Sequence, residues 1–489
     1  MTDKPWAWSV AQQVGRQAAS YAVFIVLARL LQPKDFGLVA LATAWIGILG
    51  VFSDVGFGAA LIQRREITPA HLSSTFFLNA GLGLTAAVLG VAASWPLARV
   101  LATPAVQPVV LALSPGFFLN SLSLTHLALA YRDLRFKELA IRDLAAALLG
   151  GAVGIVAALR GYGVWSLVAQ TLVTSAAGTA LLWAMLPWRP AVAEVSGPAI
   201  RQLWGYSSKL FSFNLFKYLA QNLDKLLVGV LAGPLVMGLY NFAQKLVVFP
   251  VQNFAGAVGN WLFPRLSRVP DRELVKATYF QTCTMTSLAI FPPLAVVAVV
   301  AHAGIPLFFG TKWEAAVPIV PLFALVGAAM TLMALAGSLF KALDRPGWLF
   351  NWSVFFSLLI GASLAAGNRW GLIGLAAGMA AAHFIGLSVL DMATQRLLAI
   401  APGAWLITTV PALGLALLCG GFSFLVLSLP GAITSGRVGV ACTIGAAWYA
   451  WGIQRAVRQA RRLGPSSAPL GGGEGPVPEP NFLSSSTDG

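Results

Sequence analysis

Charge is what this sequence has least of: 10% of its 489 residues are Asp, Glu, Lys or Arg, against roughly 25% in an ordinary soluble domain. Hydrophobic residues make up 58%, more than a soluble core can hide, which excludes a water-soluble globular class. Cysteine is equally sparse. Cys283, Cys419 and Cys442 all fall inside apolar stretches, which argues against a disulfide framework or a thiolate metal site. The four histidines, His71, His126, His302 and His383, are scattered singly and lack metal-ligand spacing. No two Asp residues stand two apart, and there is no Gly-x-Ser-x-Gly elbow or phosphate-binding loop; a metal-dependent sugar transferase, a serine hydrolase and an ATPase are thereby disfavoured. No cofactor and no metal are expected. The N-terminus has no compact apolar stretch before a small-residue cleavage site, so no cleaved signal peptide is expected.

What is present is a series of apolar stretches near 20 residues long, the length that crosses a hydrocarbon layer of ~30 Å as a helix. Fourteen such segments are expected, centred near Tyr21, Ile46, Thr85, Phe118, Gly151, Thr174, Leu219, Leu246, Ala289, Leu325, Leu358, Met379, Leu415 and Gly445. The net charge of +15 would fit nucleic acid if the cations formed a patch, but they sit mostly in short connectors and alternate. Nineteen Lys and Arg, including Arg64, Arg65, Arg132, Arg265, Arg345 and Arg462, fall in one set of loops and termini. The other set holds six: Lys34, Arg99, Arg160, Lys312, Arg369 and Arg437. By the positive-inside rule the arginine-rich side and both termini are cytoplasmic. A nucleic-acid partner is not expected.

The two halves match at offsets of 201 to 208 residues. Pro33, Gly37 and Leu38 correspond to Pro234, Gly238 and Leu239, and Gly163, Leu167 and Ala169 to Gly371, Leu375 and Ala377. This predicts an all-α integral membrane protein with two six-helix bundles, residues 1–190 and 200–396, related by a pseudo-two-fold axis along the membrane normal. Two additional helices follow at 403–454, and residues 455–489, rich in Gly, Pro and Ser, are expected to be a disordered cytoplasmic tail. Gly81, Gly83 and Ala86, which imitate a dinucleotide fingerprint, and Gly374 with Gly378 read as helix-packing positions inside apolar spans.

Charges inside a span cost ~2.5 to 3.5 kcal/mol each near the bilayer centre, so they should face a cavity or a partner. In the first helix Ser9, Gln13, Arg16 and Ser20 share one face, as do Asn214, Lys217, Gln221 and Asp224 in the seventh. Thr43, Gly47, Gly50 and Asp54 form a stripe on the second helix, and Asn241, Lys245, Val248 and Gln252 one on the eighth. These faces predict a cationic, water-filled cavity between the bundles. Its expected substrate-binding residues are Arg16, Arg29, Lys209, Lys217, Gln221, Asn241, Gln244 and Lys245, with Asp54 and Asp224 as ion- or proton-coupling candidates. Snorkelling toward the interface is the competing account for Arg16 and Arg29, and a local ion pair with Lys225 for Asp224. A cationic cavity suits an anionic substrate, because Lys and Arg donate charge-assisted hydrogen bonds to phosphate oxygens.

The string Leu27-Ala-Arg-Leu-Leu-Gln-Pro-Lys-Asp-Phe-Gly37 resembles the first helix and loop of the Wzx-type polysaccharide exporters of the multidrug/oligosaccharidyl-lipid/polysaccharide superfamily. Tyr131 to Lys137, Gly161 to Leu167, Leu223 to Gly229 and Gly238 to Tyr240 resemble that family's later blocks in order, so the likeness spans roughly residues 10 to 455. The second half departs from it in carrying Leu343-Asp-Arg-Pro346 where an Arg-x-Leu-x-Phe-Lys block would stand. The resemblance implies a flippase in the bacterial inner membrane. It would carry undecaprenyl-pyrophosphate-linked oligosaccharide units outward by alternating access for exopolysaccharide or lipopolysaccharide assembly, and would not be an enzyme. Its implied partners are the lipid-linked oligosaccharide, membrane lipids, a polysaccharide polymerase and chain-length machinery. A lipid II flippase and a cation-coupled drug antiporter are the alternatives within the superfamily, although the antiporter's cationic substrates would favour acidic cavity residues. A membrane-embedded polymerase would need paired carboxylates or a large external loop, and no loop is long enough.

Overall fold

The computed structural model describes residues 5–53, 55–400, 404–428 and 435–462. Among these the chain is helical throughout, in the order α1 (Pro5–Leu30), α2 (Pro33–Ser53), α3 (Phe57–Gln63), α4 (Pro69–Val100), α5 (Val106–Leu113), α6 (Pro115–Arg132), α7 (Phe136–Leu159) and α8 (Val164–Met185). Then come α9 (Gly197–Ser267), α10 (Arg272–Phe309), α11 (Val320–Ala342), α12 (Pro346–Gly367), α13 (Gly371–Leu398), α14 (Ala404–Ser428) and α15 (Ser435–Arg462). Each of the fourteen expected centres lies in one of these helices. Ten helical stretches among the described residues are long and apolar enough to cross a bilayer, so this is an all-α, multi-pass membrane protein.

The starts of the helices follow from their first residues. Proline stands in the first turn of α4, α6, α11 and α12, where its missing N–H costs nothing. Thr68 caps α4 reciprocally with His71: the Thr68 side chain accepts the His71 amide, and the Thr68 amide donates to His71 Nδ1 at 3.2 Å. The expected segments centred near Leu219 and Leu246 are joined without a loop. There α9 breaks at Gly233 alone, at φ 74° and ψ −178°, and its two arms, 197–232 and 234–267, follow directly on one another.

Within the first half α1 packs on α7, α7 on α8, α4 on α6 and α2 on α4. Within the second, α11 packs on α9, α10 and α13, and α12 on α13, while α14 and α15 lie against α10. Small residues allow the close crossings: a side chain at Gly83 would collide with Ser121, at Gly374 with the Gly367 carbonyl, and at Gly378 with that of Ser363. Gly81 meets nothing.

The largest contact between the halves is α2 along α9. The start of α9 is itself shared, since Leu203 is buried in one cluster with Val55, Phe57, Leu61 and Leu72 of the first half. At the other end of the chain α15 continues through Arg462, past the expected boundary at 454. The rest of the expected tail, 463–489, lies outside the described residues.

Candidate functional site

The seam between α2 and the two arms of α9 is built on glycine. A Cβ at Gly37 would overlap the Pro234 carbonyl, and one at Gly238 would overlap the Pro33 carbonyl, so the matched Pro-x-x-x-Gly units of the two halves pack reciprocally. Further along α2, Leu41 fills the space beside Gly229, Gly47 admits the Tyr218 ring, and Phe52 meets Phe211 at 5.0 Å between centroids. The Thr43–Gly47 stripe is therefore partly a helix seam, in which Tyr218 Oη donates to the Ala44 carbonyl at 2.8 Å.

Where the seam passes the middle of α2 it opens into a polar pocket of about 200 Å³ lined by Ala40, Thr43, Ala44, Tyr218, Asn222, Lys225 and Asn241. Lys225 donates to Asn222 Oδ1 at 3.4 Å. On the second arm Lys245, four residues after Asn241, holds its Nζ 4.4 Å from the Phe24 ring centroid. Tyr21 donates to the Lys245 carbonyl at 3.0 Å. The two arms of α9 thus line this pocket with a lysine, two asparagines and a tyrosine inside an apolar molecule. This group can donate to an anion from several directions at once.

The expected residues divide. Asn241 lines the pocket and Lys245 stands one helical turn beyond it, while Lys217 and Gln221 are exposed on the first arm. Asp224 turns the other way. Its buried carboxylate accepts from Gln244 Nε2 at 2.7 Å and Tyr240 Oη at 3.4 Å, with His383 within electrostatic reach. Asp224 and Lys225 therefore take separate partners, because adjacent residues on a helix point about 100° apart. Arg16 is exposed and donates to Gln13 at 3.1 Å. Arg29 does not reach the pocket: its guanidinium donates to the Leu307 and Phe308 carbonyls at 3.0 and 2.9 Å. Asp54 and the side chains of Ser9 and Lys209 lie outside the described residues.

The helical-face reading missed Lys225, Asn222 and Tyr218, which belong to the same polar run 214–225 but to its neighbouring face. It also missed the pair Arg142–Asp143, bonded at 2.7 Å, which anchors α1 through Gln12 Nε2 to Asp143 at 2.8 Å and α8 through the Gly178 carbonyl at 3.0 Å. Two adjacent charges inside the apolar run of α7 were the available signal.

An apolar groove of about 450 Å³ runs between the second arm of α9, α10 and α15, lined by Leu246, Val251, Leu294, Val297, Phe308 and Cys442 among others. Leu246 follows Lys245, so the groove begins where the polar group ends. Beside it α1 approaches the second arm through Tyr21 and Phe24, whereas Gln13, Arg16 and Ser20 toward its start, and Gln252 and Asn253 on the arm, are exposed. Among the described residues no group of three His, Cys, Asp or Glu could hold a metal ion.

The sequence profile described as "Polysaccharide biosynthesis protein" matches residues 26–318. The chain is 27% identical over 375 residues to the lipopolysaccharide biosynthesis protein WzxC of Escherichia coli (strain K12), covering 76% of each chain. It is 24% identical over 363 residues to the succinoglycan biosynthesis transport protein ExoT of Rhizobium meliloti (strain 1021), covering 74% of this chain and 73% of that one. Its fold is similar to that of the lipid II flippase MurJ in an inward closed conformation, with a TM-score of 0.69 at 12% identity over 93% of this chain and 100% of that one. An inward-facing multidrug resistance transporter of the MATE family and MOP superfamily shares the fold at a TM-score of 0.58 and 14% identity, covering 80% of this chain and 98% of that one.

Proposed function

The chain belongs to the polysaccharide biosynthesis protein family, and on that premise we propose that it is a flippase moving lipid-linked oligosaccharide units from the cytoplasmic to the outer leaflet of the bacterial inner membrane. The observation that carries this reading is the pocket of Lys225 with Asn222, Asn241 and Tyr218, a cluster of donors set in an apolar molecule, with Lys245 one helical turn beyond Asn241. Uncompensated cations are costly at membrane depth and are retained where they meet a substrate. A pyrophosphate linker supplies the anion, and the amides and hydroxyls are matched to sugar oxygens. Lys217, Gln221 and Arg16, exposed on the facing helices, would contact the more distant sugars.

The polyprenyl tail stays in lipid. The groove beside Leu246 offers it an apolar track next to the head-group site. The arginine-rich end is cytoplasmic and holds both termini, and two six-helix bundles rock about the α2–α9 seam. Asp224, held by Gln244 and Tyr240, and Asp54 are the carboxylates that could couple this motion to an ion or proton. A polymerase and its chain-length machinery would take up the released unit. The cationic site disfavours a drug antiporter, whose cationic substrates it would repel.

The test replaces Lys225 and Lys245 together by Gln. A hydrogen bond to a charged group is worth about 1.5 to 3 kcal/mol, so export of surface polysaccharide should fall by roughly tenfold or more at unchanged membrane abundance, with lipid-linked precursor accumulating on the cytoplasmic side. The Lys→Arg pair should retain most export. Full export by the Gln pair would overturn the site assignment.

A further inference from the structure

At the arginine-poor end, the last turn of α1 in the first half and the last turn of α10 in the second exchange hydrogen bonds. Arg29 donates to the Leu307 and Phe308 carbonyls of α10 at 3.0 and 2.9 Å. In return Lys312 Nζ donates to the Arg29 carbonyl at 2.8 Å, and Trp313 Nε1 to that of Ala28 at 2.8 Å. The last carbonyls of a helix have no partner within it and carry its negative dipole end, so cations and N–H donors are their natural caps. Here each half supplies the caps for the other.

The exchange is seated on an aromatic stack. Trp313 is fully buried, lies on Phe242 at 4.1 Å between centroids and meets Phe36 edge-on at 5.5 Å; Phe242 also touches Phe24. Beside it the two Pro-x-x-x-Gly units interlock. Gly310, at φ 92°, turns the chain sharply out of α10 just before Lys312 and Trp313. The joining groups thus come from α1, α2, the second arm of α9, α10 and the turn after it, all at one end.

We infer that this exchange of helix caps is the outer gate: it holds the halves together on the side away from the cytoplasm and must come apart for the carried unit to leave. It rests on the flippase reading for what leaves, but not for which contacts close that end. The bonds suit a gate because water can replace each donor and acceptor once the ends separate. Arg29 is therefore assigned to closure and not to substrate.

The gate is tested by labelling. In a background with Cys283, Cys419 and Cys442 replaced by Ala, Thr43→Cys, at the wall of the polar pocket, reports access to the interior from outside cells with a membrane-impermeant maleimide. Arg29→Ala with Lys312→Ala should speed that labelling about tenfold or more, and Trp313→Phe, which keeps the ring and loses the donor, should speed it less. Arg29→Lys should label close to the parent rate. In a second arm, Arg29→Cys and Lys312→Cys are joined by a reducible bis-methanethiosulfonate, which should stop polysaccharide export until a reductant is added; this arm carries the test if the alanine pair fails to accumulate. Unchanged labelling, or full export through a completely cross-linked protein, overturns the gate. Faster labelling in cells whose deletion accumulates no lipid-linked sugar leaves the gate standing and removes the sugar reading instead.

Discussion

Gly233 is the residue on which the site most depends, because its φ of 74° and ψ of −178° fall in a region that only glycine occupies without strain. The arms of α9 pivot there, and with them Lys225 and Lys245. Gly233→Ala should cost about 1 to 3 kcal/mol, read as a lower midpoint of thermal unfolding in detergent, with loss of export beyond what lower abundance explains. Gly37→Val places atoms against the Pro234 carbonyl. Overpacking of this kind costs typically about 1 to 3 kcal/mol; the same unfolding measurement should show it, and Gly81→Val, where the space is open, should show little. At this scale the polar residues were legible as stripes, since period and polarity are local properties. Their partners were not: Asp224 and Lys225 are neighbours in the chain, yet one is held by Tyr240 and Gln244 and the other faces the pocket.

Among the elements, α3 shows how a short helix is held at the arginine-rich end. Its seven residues are too few to be stable alone, and the Arg132 guanidinium binds the carbonyls of Leu61, Arg64 and Arg65 just where α3 ends. Arg132→Ala leaves those carbonyls uncapped. About 2 kcal/mol of stability should be lost, measurable as a shift in thermal unfolding, whereas Arg135→Ala removes only a half-exposed pair with Glu138 and should change it little. The start of α9 is tied to the same region, since Gln202 Oε1 accepts from Arg64 at 2.6 Å and from His71 Nε2 at 3.0 Å. Apolar length alone located every expected helix centre. It did not show that the segments around Leu219 and Leu246 meet at Gly233 alone, because one glycine turns a helix without the polar run that marks a loop, nor that Leu203 packs with Val55 and Phe57, because hydropathy does not report which neighbour covers a face.

For the whole molecule the proposed orientation implies a direction of transport. With the arginine-rich end in the cytoplasm, a fluorescent protein fused after Arg462 should fluoresce and an alkaline phosphatase fused there should be inactive; the opposite pair of results would invert the orientation. An anionic head moving outward gains ~2.3 kcal/mol per charge per 100 mV from an inside-negative potential. Flipping of a labelled lipid-linked oligosaccharide in proteoliposomes should therefore speed up when a potassium gradient with valinomycin makes the cytoplasmic side negative, and slow when the potential is collapsed.

Composition and span length were enough to determine a helical, multi-pass membrane protein with polar faces on particular helices. These are properties of short stretches of chain, which hydropathy and helical period report directly. Only the tertiary structure decided that Pro33–Gly37 locks against Pro234–Gly238, that Lys225 joins Asn241 while Asp224 turns away, and that Arg29 caps the end of α10. Each of those contacts joins residues whose meeting depends on how whole helices cross, and neither spacing nor polarity along the chain encodes a crossing.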